Sequence, residues 1–476
     1  MHPSARATGR VGRRCCTPSL PRPGVADRVR GHGRRADQAA LAAAALAGAF
    51  LAGEWEPGAM GRRGTRALGD RRRWLADLAL VVVHAYPERP ADRPRELARF
   101  IAACDPFVGA ADDPGRPLRV RTWTAAPTEM GARRWPVPAI PDLAALAGWI
   151  GVSPAHLEWF ADRRSLERTA ADEALRHHHR RWVRKPDGGI RLLEAPKREL
   201  KDLQRQVLHH VLDRIPPHAA AHGFRPGRSV LTGARPHQGR PVVLRLDLEA
   251  FFAGVGPGRV YGLFRLAGYP EPVAHALTGL CTTVTPTAVL SDAPAVPDDR
   301  RAARRRLLAR LRTPHLAQGA PTSPALANLV AFGLDRRLTG LALALGGRYT
   351  RYADDLVISG DRRLARAAPG IARLVGEIAA DEGFAVHAGK TRMLTAAQRQ
   401  TVTGLVVNGG VNVPRPEYDR LRAVLHDAAT RGPERANREG HPDFRAHLLG
   451  RIAWVGAGND ARAAKLTRAF AAIDWT

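Results

Sequence analysis

Apolar residues recur along this 476-residue chain with two periods, and the periods sort much of it into helices and strands. Leu143, Leu146, Ala147 and Ile150 fall at i, i+3, i+4 and i+7, one face of a helix. Gly151 ends that helix, and Ser153-Pro154 supplies an N-cap and a first-turn proline for the next. Leu200, Leu203, Val207 and Val211 mark an amphipathic helix over 198–214. RWVRKPDGGIRLLEAP (181–196) reads as two short strands about a Pro-Asp-Gly-Gly turn. Val242–Asp247 (VVLRLD) reads as a buried strand ending on a carboxylate, and 347–360 as strand–turn–strand about Ala353-Asp354-Asp355. Helical segments follow near 415–428, 443–455 and 459–473. Some helix is expected at 38–53 and 71–103, whereas the Pro/Gly-rich stretch 105–141 breaks regularity and leaves 1–135 without an assigned fold.

Composition narrows the class. Hydrophobic residues at 45% and charged residues at 25% are ordinary for a globular chain and exclude disorder throughout. The formal charge of +29 is too large for a typical metabolic enzyme and points to a polyanion, nucleic acid above all. Residues 1–37 hold nine arginines among prolines and glycines and read as a flexible basic arm. Residues 283–316 read as an insertion in which RRAARRRLLARLR (300–312) sets a narrow leucine strip among seven arginines, either a phosphate grip or a solvated face. His177-His178-His179 reads as a solvated run, since consecutive histidines point in different directions. Four cysteines without a C-x-x-C pair fit neither a disulfide framework nor a zinc site, and suit a reducing cytoplasm. The apolar stretch Gln38–Gly53 is shorter than the roughly 18–20 residues that span a bilayer, so no membrane is expected.

Candidate chemistry gathers on carboxylates. Asp247 ends an apolar strand, and Asp354-Asp355 sits at a hairpin tip. Such carboxylates repel one another unless a cation lies among them, and an oxygen-rich site suits Mg²⁺, which also takes phosphate ligands. Two such ions could activate a 3′-hydroxyl and stabilise a leaving pyrophosphate.

With these residues the chain resembles the reverse transcriptases, and among them the bacterial retron type, over roughly 141–476. Tyr352-Ala353-Asp354-Asp355 matches the family's YxDD signature, and Asp247 through Phe252 its first carboxylate motif. Gln318-Gly319-Ala320-Pro321-Thr322-Ser323-Pro324, with Ala327-Asn328 after it, resembles the QGxPxSP motif. Gly383-Phe384 and Lys390-Thr391 resemble the motif that follows, and Trp182 to Leu200 the fingers segment. The resemblance implies an α+β right-hand polymerase with a basic, partly helical N-terminal extension (1–135), a helical segment (136–180), fingers and palm (181–410) and a helical thumb (411–476). It implies metal ligands at Asp247, the Leu248 backbone carbonyl, Asp354 and Asp355, holding two Mg²⁺ ions, with Mn²⁺ as a substitute. Lys185, Arg191 and Lys390 would act on the dNTP triphosphate, while Phe251, Phe252 and Gln318 line the nucleotide site. Phe252 would exclude a 2′-hydroxyl. Only five of the 74 basic residues are lysine, and two of them fall at Lys185 and Lys390. A compact ammonium is not equivalent to guanidinium there.

Val402-Thr403-Gly404 resembles the retron triplet after the palm, and Gly233-Ala234-Arg235-Pro236-His237 the N-A-x-x-H stretch with glycine for asparagine. Ala234, His237, Val402, Thr403 and Gly404 are therefore the RNA-binding candidates. The resemblance implies a cytoplasmic enzyme that copies part of a cognate noncoding RNA into branched RNA–DNA, primed from a guanosine 2′-hydroxyl. Host ribonuclease H would digest template, since about seventy residues after Gly404 leave no room for such a domain. Antiphage defence with an effector protein is implied as well. The competing readings are an intron-derived or diversity-generating reverse transcriptase and a non-catalytic RNA-binding scaffold.

Overall fold

A computed structural model describes residues 23–475, which form two compact units, one ending at Thr128 and the other beginning at Glu129. The first part of the basic arm, residues 1–22, lies outside the described residues. The first unit is helical: α1 (Pro23–Leu51), α2 (Pro57–Leu68), α3 (Trp74–Ala85), α4 (Pro94–Ala103) and α5 (Asp105–Asp112). Glu56 caps α2 by accepting from the amides of Gly58 and Ala59, with Pro57 in the first turn. Leu46, Phe50, Met60, Leu78, Leu97 and Ile101 close a core of this unit's own. The stretch left unassigned from sequence therefore contains a folded helical body.

In the second unit, α6 (Leu143–Ile150) and α7 (Pro154–Ala161) carry the caps expected at Gly151 and Ser153, and a further one at Asp142. Asp142 accepts from the Ala145 amide, Gly151 takes φ +79°, and Ser153 accepts from the His156 amide. The strands β1 (His178–Arg184) and β2 (Ile190–Pro196) pair antiparallel, Trp182 opposite Leu192, about the Lys185–Gly189 turn. Next come α8 (Arg198–His210), α9 (Val230–Ala234), β3 (Val242–Asp247), α10 (Pro257–Leu266) and α11 (Glu271–Cys281). A β-carbon on Gly279 of α11 would lie 2.0 Å from the Ala161 carbonyl oxygen, so only glycine lets α11 and α7 cross this closely.

The 283–316 stretch forms α12 (Thr287–Ser291) and α13 (Arg301–Leu311) and packs on the fingers hairpin. Leu307, Leu308 and Leu311 meet Trp182 and Leu192, and the Trp182 indole donates to the Val289 carbonyl at 3.0 Å. Under this layer lies a buried ionic network. Arg180 donates to Glu167 at 2.8 Å and to Glu194 at 3.0 Å; Glu194 also accepts from Thr285 (2.8 Å) and pairs with His315 (2.8 Å). The histidine run corrects the sequence reading: His177 and His178 are buried, His177 Nε2 lying 3.0 Å from the Trp159 carbonyl oxygen, and only His179 is exposed. Alternation along β1 and packing on both sides of it override the polarity of the string.

After α14 (Thr322–Val330) and α15 (Phe332–Ala344), the strands β4 (Arg348–Tyr352) and β5 (Asp355–Gly360) form a hairpin. With α16 (Arg362–Asp381) and β6 (Arg392–Thr395) they complete an antiparallel palm sheet of order β4-β5-β3-β6. Leu244, Leu246, Leu356 and Ile358 face the main core, whereas Val243 and Val357 face a second core shared with the thumb. Burial on both faces explains why β3 reads as an apolar run broken only by Arg245 before its terminal aspartate. The short hairpin β7 (Thr401–Val402) and β8 (Leu405–Val406) leads to α17 (Arg415–Arg431), α18 (Pro433–Ala436), α19 (Phe444–Gly456) and α20 (Asp460–Ala471). Tyr418, Leu421, Leu425, Leu448, Ile452 and Leu466 join the second core.

Candidate active site

Antiparallel register sets Asp247 opposite Asp355, so both carboxylates rise from one face of the sheet. Asp354 sits in the two-residue turn between β4 and β5, and its carbonyl accepts from the Leu248 amide at 2.9 Å. The predicted carbonyl ligand of Leu248 thus belongs to a residue hydrogen-bonded to the aspartate turn. Burial raises the Asp354 carboxyl, and Asp247 raises it further. Burial raises Asp355 too, against the lowering effect of Arg245, which donates to it at 3.1 Å. Lys390 donates to Asp247 at 3.0 Å. All three are hard oxygen donors, the charged forms of Asp354 and Asp355 are disfavoured, and a divalent cation would relieve them. The donor set fits such an ion, although Lys390 and Arg245 stand against two of the carboxylates. No group of three or more His, Cys, Asp or Glu among the described residues is arranged as a ready-made metal cage.

The turn that presents Asp354 is held from beneath. Ala353 takes φ +55°, a backbone state that a β-carbon disfavours. Its carbonyl accepts from Arg351 at 3.0 Å, and Arg351, fully buried, makes two further bonds to Asp335 (2.8 and 2.7 Å) and one to Asn328 (2.9 Å). Asn328 in turn donates to the Gly223 carbonyl at 2.8 Å. A β-carbon on Gly223 would lie 2.8 Å from the Ala353 nitrogen, so glycine is needed for the 222–229 loop to reach the turn. Beside it Phe224, half exposed, sets its ring 6.2 Å from those of Phe252 and Tyr352.

Above the carboxylates lies a cavity of about 350 Å³. Lys185, Arg191, Asp247, Leu248, Phe251, Phe252, Gln318, Asp354 and Lys390 all reach it, from the fingers turn, β2, the end of β3, the loop before α14, the β4–β5 turn and the stretch before β6. Asp355 is absent from that lining, its carboxylate being turned to Arg245. Phe251 is buried in the core and Phe252 half-buried; both lie in the turn that follows β3, so the turn and not strand alternation separates them. Burial lowers the Lys185 ammonium, and Lys390 and Arg191 lower it further. Three cations thus line one cavity, Lys390 among them paired with Asp247, an arrangement whose field favours an anion.

The RNA-binding candidates lie elsewhere, and three need correction. Ala234, His237 and Val402 are fully buried and offer RNA no surface. His237 instead ties the sheet together, its ring nitrogens 2.7 Å from the Ser359 and Thr350 hydroxyls, and burial pushes it down to about 3. Gly404 is exposed and Thr403 half-buried at the β7–β8 turn, where Thr403 takes φ +49° and donates to the Val230 carbonyl at 3.1 Å. The sequence reading overlooked Arg245, Phe224, Arg351, Asp335 and Glu249. Arg245 had a signal, being the one charge inside an apolar strand and two residues before Asp247.

Comparison with known proteins agrees with this geometry. Residues 183–407 match the family model described as reverse transcriptase (RNA-dependent DNA polymerase). The chain is 40% identical over 347 residues to the retron Mx65 reverse transcriptase of Myxococcus xanthus, spanning 72% of this chain and 74% of that protein. It is 41% identical over 309 residues to the retron Mx162 reverse transcriptase of the same organism, covering 61% of this chain and 59% of the relative. Against the retron Ec86 reverse transcriptase of Escherichia coli it is 32% identical over 244 residues, 51% of this chain and 66% of the relative.

Proposed function

The chain belongs to the retron-type reverse transcriptases and is an RNA-directed DNA polymerase, and from that premise we propose that it copies part of one cognate structured noncoding RNA into single-stranded DNA. The observation that supports this most is the convergence of Asp247 and Asp354 with Lys185, Arg191 and Lys390 around one cavity, with Phe252 beside them. Asp247, the Leu248 carbonyl, Asp354 and Asp355 would hold two Mg²⁺ ions, for which Mn²⁺ can substitute. When bound, the ions would supply charge for activating the primer hydroxyl and stabilising the leaving pyrophosphate. Lys185 and Arg191 would orient the triphosphate. Lys390 would exchange its bond to Asp247 for the same polyphosphate and carry a proton toward the pyrophosphate. Phe252 would close the space beside the sugar C2′, selecting dNTPs, while Gln318 packs at the base side.

Priming from an internal guanosine 2′-hydroxyl, giving DNA branched to its RNA, is part of the same reading, and so is service in antiphage defence with an effector protein and a host ribonuclease H. The Thr403-Gly404 turn is the RNA-facing element in this proposal. The site of action would be the cytoplasm; no helix among the described residues is long and apolar enough to cross a membrane.

The test is nucleic acid extracted from cells expressing the gene with about a kilobase of upstream DNA, beside an Asp354→Asn/Asp355→Asn control. A short RNase-sensitive branched DNA absent from the control is the expected product. DNA synthesis on a generic primer–template without that species would retain the polymerase and discard branch priming.

A further inference from the structure

Helix α13 does more than present arginine to solvent. Arg306 and Arg310 stand one helical turn apart, on the same face, and both reach the nucleotide cavity. Arg306 donates from Nε and Nη2 to the two carboxylate oxygens of Glu249, at 3.0 and 2.9 Å, a planar fork on a planar acceptor. Arg310 donates from Nη1 to the Glu249 carbonyl at 2.7 Å, and the Glu249 amide donates to the Ala385 carbonyl at 2.7 Å. Residue 249 is thus gripped by side chain, carbonyl and amide together. The next residue, Ala250, takes φ +47°, a state a β-carbon disfavours, and the chain then delivers Phe251 to the core and Phe252 to the cavity. The far side of α13 is anchored, because Leu307, Leu308 and Leu311 pack on Trp182 and Leu192 of the fingers hairpin.

We propose that Arg306, Arg310 and Glu249 form a clasp through which the fingers fix the Phe252 ring, making the two arginines positioning residues for sugar discrimination. The inference rests on the reading of Phe252 as the group that excludes a 2′-hydroxyl. A ring acts as a steric barrier only if its backbone cannot yield, and the 249–250 peptide lies in a conformation that relaxes once released. The clasp supplies the restraint. The Arg306 side chain is 52% exposed, so its loss costs the fold little.

Full-length protein is assayed on a primer–template with dNTPs and rNTPs, comparing wild type, Phe252→Ala, Arg306→Gln, Arg310→Met and the Phe252→Ala/Arg306→Gln double variant. Phe252→Ala is expected to lower the dNTP:rNTP ratio of kcat/KM by roughly a hundredfold, and each arginine variant by roughly tenfold. Arg306→Gln should leave Tm close to wild type. In the double variant Arg306→Gln should cause no further loss, because the ring it positions is gone. Full discrimination in both arginine variants, with Phe252→Ala permissive, would overturn the clasp and leave the gate standing. An additive loss in the double variant would overturn it also, and discrimination retained by Phe252→Ala would remove the gate reading itself.

Discussion

Fingers and palm each bury carboxylates beside arginine, and they settle the charge in opposite ways. In the network beneath the fingers hairpin, burial would raise the Glu167 and Glu194 carboxyls, but His178 and Arg180 hold Glu167 low, and His315 with Arg180 holds Glu194 low. Both carboxylates there are answered by hydrogen-bonding partners within the fold. At the palm edge, burial wins: Asp354 and Asp355 stay raised, worsened by neighbouring aspartates and only partly offset by Arg245 and Lys390. A fully paired network is scaffold, whereas carboxylates left under-neutralised beside a cavity are held for a ligand.

The largest effect that bears on this contrast is on activity. Asp354→Asn should reduce DNA synthesis by about a thousandfold or more, while leaving Tm in a chelator unchanged or higher, since a disfavoured buried charge is removed. A lower Tm in chelator would make the palm carboxylates scaffold too. Glu167→Gln should do the reverse in kind, costing about 1–3 kcal/mol in denaturant unfolding because Arg180 keeps only Glu194 as a carboxylate partner and His178 loses its own. A cost under about 1 kcal/mol would dissolve the distinction from the fingers side.

Divalent cation sharpens it further. Mg²⁺ at about a hundred times its Kd should stabilise the wild type by about 2.7 kcal/mol, read as a rise in Tm that Asp354→Asn lacks. Because Asp354 and Asp355 are raised, they bind protons at higher pH than an ordinary aspartate. The Mg²⁺ stabilisation should therefore fade as pH drops toward those raised values, earlier than ordinary carboxylates would dictate.

The smallest effect concerns His237, neutral between two hydroxyls. Its folded value, about 3, lies below the ordinary histidine value of about 6.5, so the unfolded chain binds the extra proton between them. Its neutral burial is without penalty above about pH 6.5, and stability falls as pH drops below that, by roughly 2 kcal/mol at pH 5. His237→Gln should flatten that slope; an unchanged slope would show that another group governs acid stability.

Several parts of this picture were legible in the chain alone. Tyr352 to Asp355, Asp247 to Phe252 and the string from Gln318 are short runs whose chemistry depends on residue type and near spacing. The caps at Gly151 and Ser153 are local for the same reason. Of the N-terminal unit only helix at 38–53 and 71–103 was legible, and its fold was not, because α1 is packed largely through alanines, whose small side chains give a weak periodic signal.

What the sequence by itself determined is which groups exist and which neighbours along the chain share a strand or a helix face, and that is enough for motifs of a few residues. What only the tertiary structure decided is who faces whom across it. Glu249 meets Arg306 from 57 residues away, Arg351 meets Asp335 under the aspartate turn, and Ala234 and His237 turn inward rather than toward RNA. The physical reason is burial: once two faces of a sheet are covered, the charge and polarity of a residue no longer tell which side it takes, and only its partners do.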